Sequence, residues 1–122
     1  MLMVFSINGC FSITHDQHGY PEKVKFSKDG GEKTVSGNIG LDYFSVYTQN
    51  QNRESVGARW NKNDSESEQY SIQFKWLTVI HDRQTHQFTL IAEPNTTNKK
   101  RMLTIEYCEG DTFMQIDVIQ SK

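Results

Sequence analysis

The chain has 122 residues, the size of a single domain. Its 13 basic and 15 acidic residues give a formal net charge of −2, without the basic excess that binding to nucleic-acid phosphates requires. No run of apolar residues approaches the roughly 20 that a membrane-spanning helix needs. The sequence therefore predicts a polar-surfaced domain without a nucleic-acid partner and without a helical membrane span.

The kind of apolar residue predicts the fold class. Val, Ile, Thr, Phe, Tyr and Trp together number 40, whereas Ala occurs twice and Leu five times. β-Branched and aromatic side chains fit a pleated sheet and lose rotamer freedom in a helix. The composition therefore predicts an all-β domain.

The first ten residues are apolar and end in Gly9-Cys10. This ending resembles a bacterial lipoprotein signal, in which a small residue precedes the cleaved bond and the cysteine sulfur takes a diacylglycerol. The segment lacks the length and the basic residue of a full signal, and a start codon farther upstream would supply both. We predict that Cys10 is the lipidated N-terminus of a chain held at the outer membrane. The alternative is an ordinary apolar N-terminal segment.

Residues 11–22 show no hydrophobic period and predict a linker or a loosely attached arm. The predicted organisation is thus a signal remnant and flexible arm over residues 1–22, followed by one domain over residues 23–122.

Alternation of apolar and polar residues then predicts about seven strands, with a parity change near Lys75–Leu77 that predicts a bulge. The strands are expected at residues 23–27, 32–38, 43–48, 70–80, 88–92, 103–107 and 114–118. This spacing is typical of an immunoglobulin-like β-sandwich. The inward-facing positions predict a core of Phe26, Val35, Phe44, Val46, Trp76, Phe88, Leu90, Leu103, Ile105, Ile116 and Val118.

A polar stretch at residues 49–69 interrupts this pattern. Structureless loops of about 20 residues are unusual in compact domains, so Ser55–Trp60 is predicted to form an extra edge strand or hairpin arm. Ser65–Glu68 is predicted to be a solvated turn.

Several short motifs, in order, resemble the BACON family (Bacteroidetes-associated carbohydrate-binding, often N-terminal). The resemblance spans about residues 24–120. The motifs are Gly30-Gly31, Thr34-Val35, Phe74–Val79 with Trp76, Phe88–Asn95, Arg101–Ile105, Glu109-Gly110 and Ile116–Gln120. An earlier tryptophan common in the family is absent here, residues 49–69 are an insertion, and His81–His86 replaces a Ser/Gly-rich turn.

The resemblance implies an exported, non-catalytic immunoglobulin-like module. Such modules occur in surface lipoproteins and glycan-degrading enzymes of gut bacteria, and carbohydrate or mucin binding has been proposed for the family. A structural spacer or a protein–protein interaction module is the alternative function. The expected partner is accordingly a glycan or a surface protein, with contact to a membrane only through the lipid anchor.

The best sugar-binding candidates in the sequence surround Trp60. A pyranose ring stacks its C–H face on a flat aromatic side chain, and neighbouring polar groups bond its hydroxyls. Arg59 and Asn61 flank Trp60 in the polar stretch, and Tyr70 follows it. The predicted carbohydrate-binding residues are therefore Trp60, Arg59, Asn61 and Tyr70.

The sequence predicts no catalytic residues, no metal site and no cofactor. It has neither a nucleophile elbow nor a phosphate-binding loop. His81, Asp82 and His86 carry ligand atoms, but they are expected to form a polar hairpin turn. Cys108 is expected to be a lone thiol if Cys10 carries lipid, and otherwise to pair with Cys10 in a disulfide.

Overall fold

The structure is a computed structural model, and it describes residues 14–63 and 68–122. Within these residues the chain forms nine strands and no helix, and hence no helix long and apolar enough to cross a membrane. The strands are Lys23–Phe26 (β1), Gly31–Ser36 (β2), Tyr43–Tyr47 (β3), Ser55–Arg59 (β4), Gln69–Phe74 (β5), Leu77–Asp82 (β6), Gln87–Ala92 (β7), Arg101–Glu109 (β8) and Thr112–Gln120 (β9).

The strands form two packed sheets, which confirms the predicted all-β sandwich. One sheet has the order β1-β9-β8-β3-β4 and the other β2-β7-β6-β5. β1 lies parallel to β9, and the other paired strands are antiparallel. β3, β8 and β9 take the places of strands C, F and G of an immunoglobulin-like fold, and β2, β7 and β6 take those of B, E and D.

The core lies between the sheets, as alternation along the strands requires. Every predicted core residue is buried except Val35, which is partly buried and packs against the core from the edge strand β2. Phe44 and Phe88 meet edge to face at its centre, with ring centroids 5.3 Å apart.

The nine strands exceed the seven predicted because of two local features. Residues 70–80 do not form one bulged strand. They divide into β5 and β6, joined by a two-residue turn of Lys75 and Trp76, and Phe74 pairs with Leu77 across it. Lys75 has a φ of 54°, and a positive φ at the first central position is the geometry of a type II′ turn. The second feature is β4, the edge strand predicted at residues 55–60.

His81 lies in the core, not in a polar turn as the sequence predicted. It is fully buried in β6, and its Nε2 accepts a hydrogen bond from the backbone N–H of Leu41 at 2.9 Å. Burial lowers its pKa to about 4, although the backbone of Gln87 acts in the opposite direction. The turn is confined to residues 83–86, where Asp82 accepts hydrogen bonds from two backbone N–H groups.

Residues 14–22 are docked against the sandwich rather than forming the loose arm that the sequence predicted. Backbone hydrogen bonds join Phe113 of β9 to Thr14 and Asp16. Tyr20 is buried among core residues, and its hydroxyl donates to the carbonyl of Ile39 at 2.6 Å. The segment therefore covers one edge of β9 and closes one side of the core.

Candidate functional site

Trp60 lies just beyond β4, where its backbone N–H donates to the carbonyl of Asp42 at 2.8 Å. The indole is half-buried, and the guanidinium of Arg83 lies 3.9 Å from its ring centroid. Arg83 is held in place by Asp42 at 2.7 Å, by the carbonyl of Leu41 at 3.2 Å and by Glu68 at 3.4 Å. One face of the indole is therefore already covered by a fixed cation.

The two residues that flank Trp60 contact different parts of the protein from those that Trp60 contacts. Arg59 lies over the ring of Tyr43 at 5.0 Å, beside a small cleft of about 130 Å³. Asn61 is exposed, and its Oδ1 accepts a hydrogen bond from the backbone N–H of Asn63 at 3.0 Å. Arg59 is thus directed to Tyr43, whereas Trp60 is directed to Arg83.

Tyr70 is part of the core packing rather than an exposed platform. Its hydroxyl donates to the carbonyl of Leu41 at 2.6 Å, and its ring packs on Phe44 and His81 with centroids 5.3 and 5.7 Å away. Burial raises the pKa of its hydroxyl well above the ordinary value. The structure therefore does not bring Tyr70 together with Arg59, Trp60 and Asn61 on one exposed surface.

The predicted lipidation site, Cys10, lies outside the described residues. Cys108 is disulfide-bonded, so the expectation of a lone thiol on β8 is wrong. Among the described residues no group of three or more His, Cys, Asp and Glu side chains could hold a metal ion.

A different polar site, which we call the amide cleft, lies at the other end of β3. Its volume is about 420 Å³, within the range of small-molecule sites. Four of its seven lining residues carry side-chain amides. The cleft is lined by Tyr47, Thr48, Gln49, Asn50, Gln51, Arg53 and Gln115.

The loop between β3 and β4 builds most of this cleft. The backbone N–H of Thr48 donates to the carbonyl of Glu54, and the N–H of Glu54 donates back to the Thr48 hydroxyl at 3.0 Å. The same hydroxyl donates to Oδ1 of Asn50 at 3.2 Å. These bonds close the loop at its base and so fix the backbone that carries the amide side chains.

Polar side chains on the outer face of the five-stranded sheet hold two of the lining residues, Gln49 and Gln115, in place. Gln49 donates to the hydroxyl of Thr104 at 2.7 Å, and Thr104 donates to Asp117 at 3.0 Å. Gln115 donates to the same carboxylate oxygen at 3.2 Å. The loop is thereby tied to β8 and β9, which gives the amide cleft a defined wall.

An arginine–tyrosine pair forms the remaining wall of the amide cleft. The guanidinium of Arg53 lies 3.6 Å from the ring centroid of Tyr47 and 3.7 Å from the buried carboxylate of Glu106. Burial, and to a smaller extent the charge of Glu106, raise the pKa of Tyr47 to about 12. Tyr47 is therefore a neutral hydroxyl under an arginine throughout the physiological pH range.

The amide cleft suits a ligand that carries many hydroxyl groups. In the bonds described above, Gln49 and Gln115 use amide donors and Asn50 uses its amide oxygen, so each keeps groups of the other kind. A sugar hydroxyl can meet either a donor or an acceptor. The sequence indicates the loop that builds this cleft, because Gln49–Arg53 is an unbroken polar run between two strands. The bonds that hold Gln49 and Gln115 could not be predicted, because Thr104 and Asp117 come from strands distant in sequence.

The chain matches no protein-family model and no curated protein. Its fold is similar to that of 148 chains in solved structures. One is the NMR structure of a protein from Bacteroides thetaiotaomicron, which is 16% identical with a TM-score of 0.55. The match covers 87% of this chain and 85% of that chain. At this identity the likeness shows the fold alone.

Proposed function

We propose that this protein is an exported, non-catalytic carbohydrate-binding module that holds a glycan weakly in the amide cleft. The observation that carries the proposal is the convergence of four amide side chains beside the Tyr47–Arg53 pair. The resemblance to the BACON family points to the same ligand class, and the described fold is the one that this resemblance implies.

Export is supported by the disulfide at Cys108, because disulfides persist in oxidising compartments and are rare in the cytosol. A cell-surface or periplasmic location follows from this proposal. The chain has two cysteines, so an intramolecular disulfide at Cys108 would exclude the lipid anchor that the sequence predicts at Cys10.

Binding is expected to be weak because the amide cleft is open and shallow. Each sugar hydroxyl exchanges hydrogen bonds with water for hydrogen bonds with protein, so the net gain per bond is small. We expect a dissociation constant of roughly 0.1–1 mM, equivalent to about 4–5.5 kcal/mol.

A glycan array followed by titration calorimetry tests the proposal. Gln51 is the best residue to change because it lines the cleft and is exposed, so Gln51→Ala should weaken binding without disturbing the fold. Gln84→Ala is the matched control, since it removes an exposed amide from the β6–β7 turn, away from the cleft. Trp60→Ala tests the site predicted from sequence. Loss of binding in Trp60→Ala, with Gln51→Ala unaffected, would move the site to Trp60.

The second candidate function, a protein-interaction module, is favoured by β4, which pairs with no strand beyond β3 in the part of the chain that the structure describes. The hydrogen bonds of Trp60 to Asp42 and of Thr48 to Glu54 show that even-numbered residues of this strand bond to β3. The backbone groups of alternate residues therefore face away from the sheet, beside the exposed Val56. If the array shows no glycan binding, this edge becomes the better candidate.

A further inference from the structure

The loop that borders the amide cleft also borders a second cleft, on the side where β3 ends and β8 begins. This second cleft, which we call the basic cleft, has a volume of about 450 Å³. It shares Thr48, Gln49 and Asn50 with the amide cleft. Its other lining residues are Lys75, Trp76, Arg101, Met102 and Leu103.

The basic cleft is lined by two cationic side chains, and no carboxylate is among its lining residues in the described part of the chain. The two cations differ in their acidic neighbours: Lys75 is in an ion-pair contact, whereas the carboxylate of Glu93 acts on Arg101 through its charge without an ion-pair contact. Lys75 pairs with Glu54 at 2.7 Å, in a contact where both side chains are largely exposed. Arg101 bonds only to neutral acceptors among the described residues, namely the side chain of Gln120 and the carbonyls of Glu93 and Pro94.

Those neutral bonds fix the guanidinium of Arg101 in place. Its Nε donates to Gln120 at 2.8 Å, and its Nη2 donates to the carbonyls of Glu93 and Pro94 at 3.3 and 3.2 Å. The group also lies 4.7 Å from the ring centroid of Trp76. Nη1 donates to no acceptor within residues 14–63 and 68–122, so its hydrogens are available to a ligand. A guanidinium that is already held in place loses little conformational freedom when it binds the oxygens of an anion.

We propose that the basic cleft recognises an anionic group, a carboxylate or a sulfate ester, on the glycan whose neighbouring hydroxyls occupy the amide cleft. This proposal rests on the proposed function, because the loop of Thr48–Asn50 would contact both parts of one ligand. Arg101 is the residue that contacts the anion, and Lys75 adds positive charge at the rim. The expected ligand class is therefore an acidic oligosaccharide.

The test uses an array of oligosaccharides in which each neutral backbone is paired with its uronic-acid form and with its sulfate ester. Calorimetry then compares the members of the best pair. We expect the anionic member to bind about tenfold more tightly, the factor for one charge-assisted hydrogen bond. Arg101→Gln should abolish that advantage, and Arg101→Lys should keep part of it.

Lys75→Asn is a second variant that does not depend on Arg101. Asn tolerates the positive φ at this turn position, so the change removes the charge and keeps the backbone. It should lower the advantage of the anionic member severalfold. Lys28→Asn is the control, because it removes the same charge from an exposed turn outside both clefts.

The outcomes separate this inference from the proposed function. Equal binding of neutral and anionic members would overturn the inference and leave carbohydrate binding intact. An anionic preference that survives in both Arg101→Gln and Lys75→Asn would also overturn it, because the anion would then bind elsewhere. Absence of binding to every glycan would overturn the proposed function and the inference together.

Discussion

The side-chain oxygen of Gln17 accepts a hydrogen bond from the backbone N–H of Gln115 at 3.1 Å. It thereby completes a row along the edge of β9, where Phe113 donates to the carbonyl of Thr14 and Asp117 to that of Glu22. Between Thr14 and Glu22 the chain bends away from β9, and Tyr20 of this segment packs in the core. The side chain of Gln17 thus accepts the hydrogen bond that a backbone carbonyl would accept if this segment continued along β9.

Removing this side chain should lower the free energy of unfolding. Gln17→Ala leaves the N–H of Gln115 without its acceptor, and we expect a loss of about 1–2 kcal/mol. Gln17→Glu keeps an oxygen acceptor and should lose less. Urea denaturation of both variants measures the difference, and an alanine variant as stable as the wild type would show that the bond contributes nothing.

Even a methyl side chain at position 37 should lower the stability of the protein, because the ring of Tyr20 lies against Gly37. A Cβ at this position would overlap the ring, so Gly37→Ala should cost about 1–3 kcal/mol of stability. The cost should shrink in a Tyr20→Leu background, where the ring is absent. A double-mutant cycle by thermal unfolding measures this coupling, and additive effects would contradict the proposed contact.

The buried His81 should make the fold sensitive to mild acid. Its folded-state pKa of about 4 lies below the ordinary value of 6.5, so the unfolded chain takes up a proton at a higher pH than the folded chain. Stability should therefore be full above about pH 6.5 and fall as the pH decreases toward 4, by at most about 1.4 kcal/mol per pH unit.

His81→Gln is the test of that dependence. Glutamine does not titrate, and its oxygen is an acceptor that can serve the N–H of Leu41. Urea unfolding at about pH 7.5 and about pH 5, a range in which most carboxylates stay ionised, should show a smaller loss in the variant than in the wild type. Equal losses would assign the acid sensitivity to other groups.

The disulfide at Cys108 can be checked by mass spectrometry. The chain has two cysteines, so an intramolecular disulfide at Cys108 and a lipid on the sulfur of Cys10 cannot occur in the same molecule. We expect the purified protein to show no free thiol and to lose about 2–5 kcal/mol of stability on reduction. Cys108→Ser should be insensitive to reductant. A lipidated Cys10 with a free Cys108 would contradict this expectation.

The sequence by itself determined the fold class and most of the core. Residues such as Phe26, Ile105 and Ile116 alternate with polar neighbours, and period-2 alternation fixes which face of a strand turns inward regardless of its partners. It also indicated the edge strand at residues 55–60, because a long polar loop is unfavourable in a compact domain.

The tertiary structure alone decided the surroundings of single side chains. Trp60 and Tyr70 are aromatic residues of the kind that bind sugars. In the structure, however, Arg83 covers one face of the Trp60 indole, and the Tyr70 hydroxyl donates to the carbonyl of Leu41. His81 was expected in a turn, and its burial follows from its pairing with Phe88 across β6 and β7. Contacts of this kind join residues far apart in sequence, which local periodicity does not encode. For the same reason, the run Gln49–Arg53 became part of a cleft only when β9 supplied Gln115 and Thr104 of β8 held Gln49.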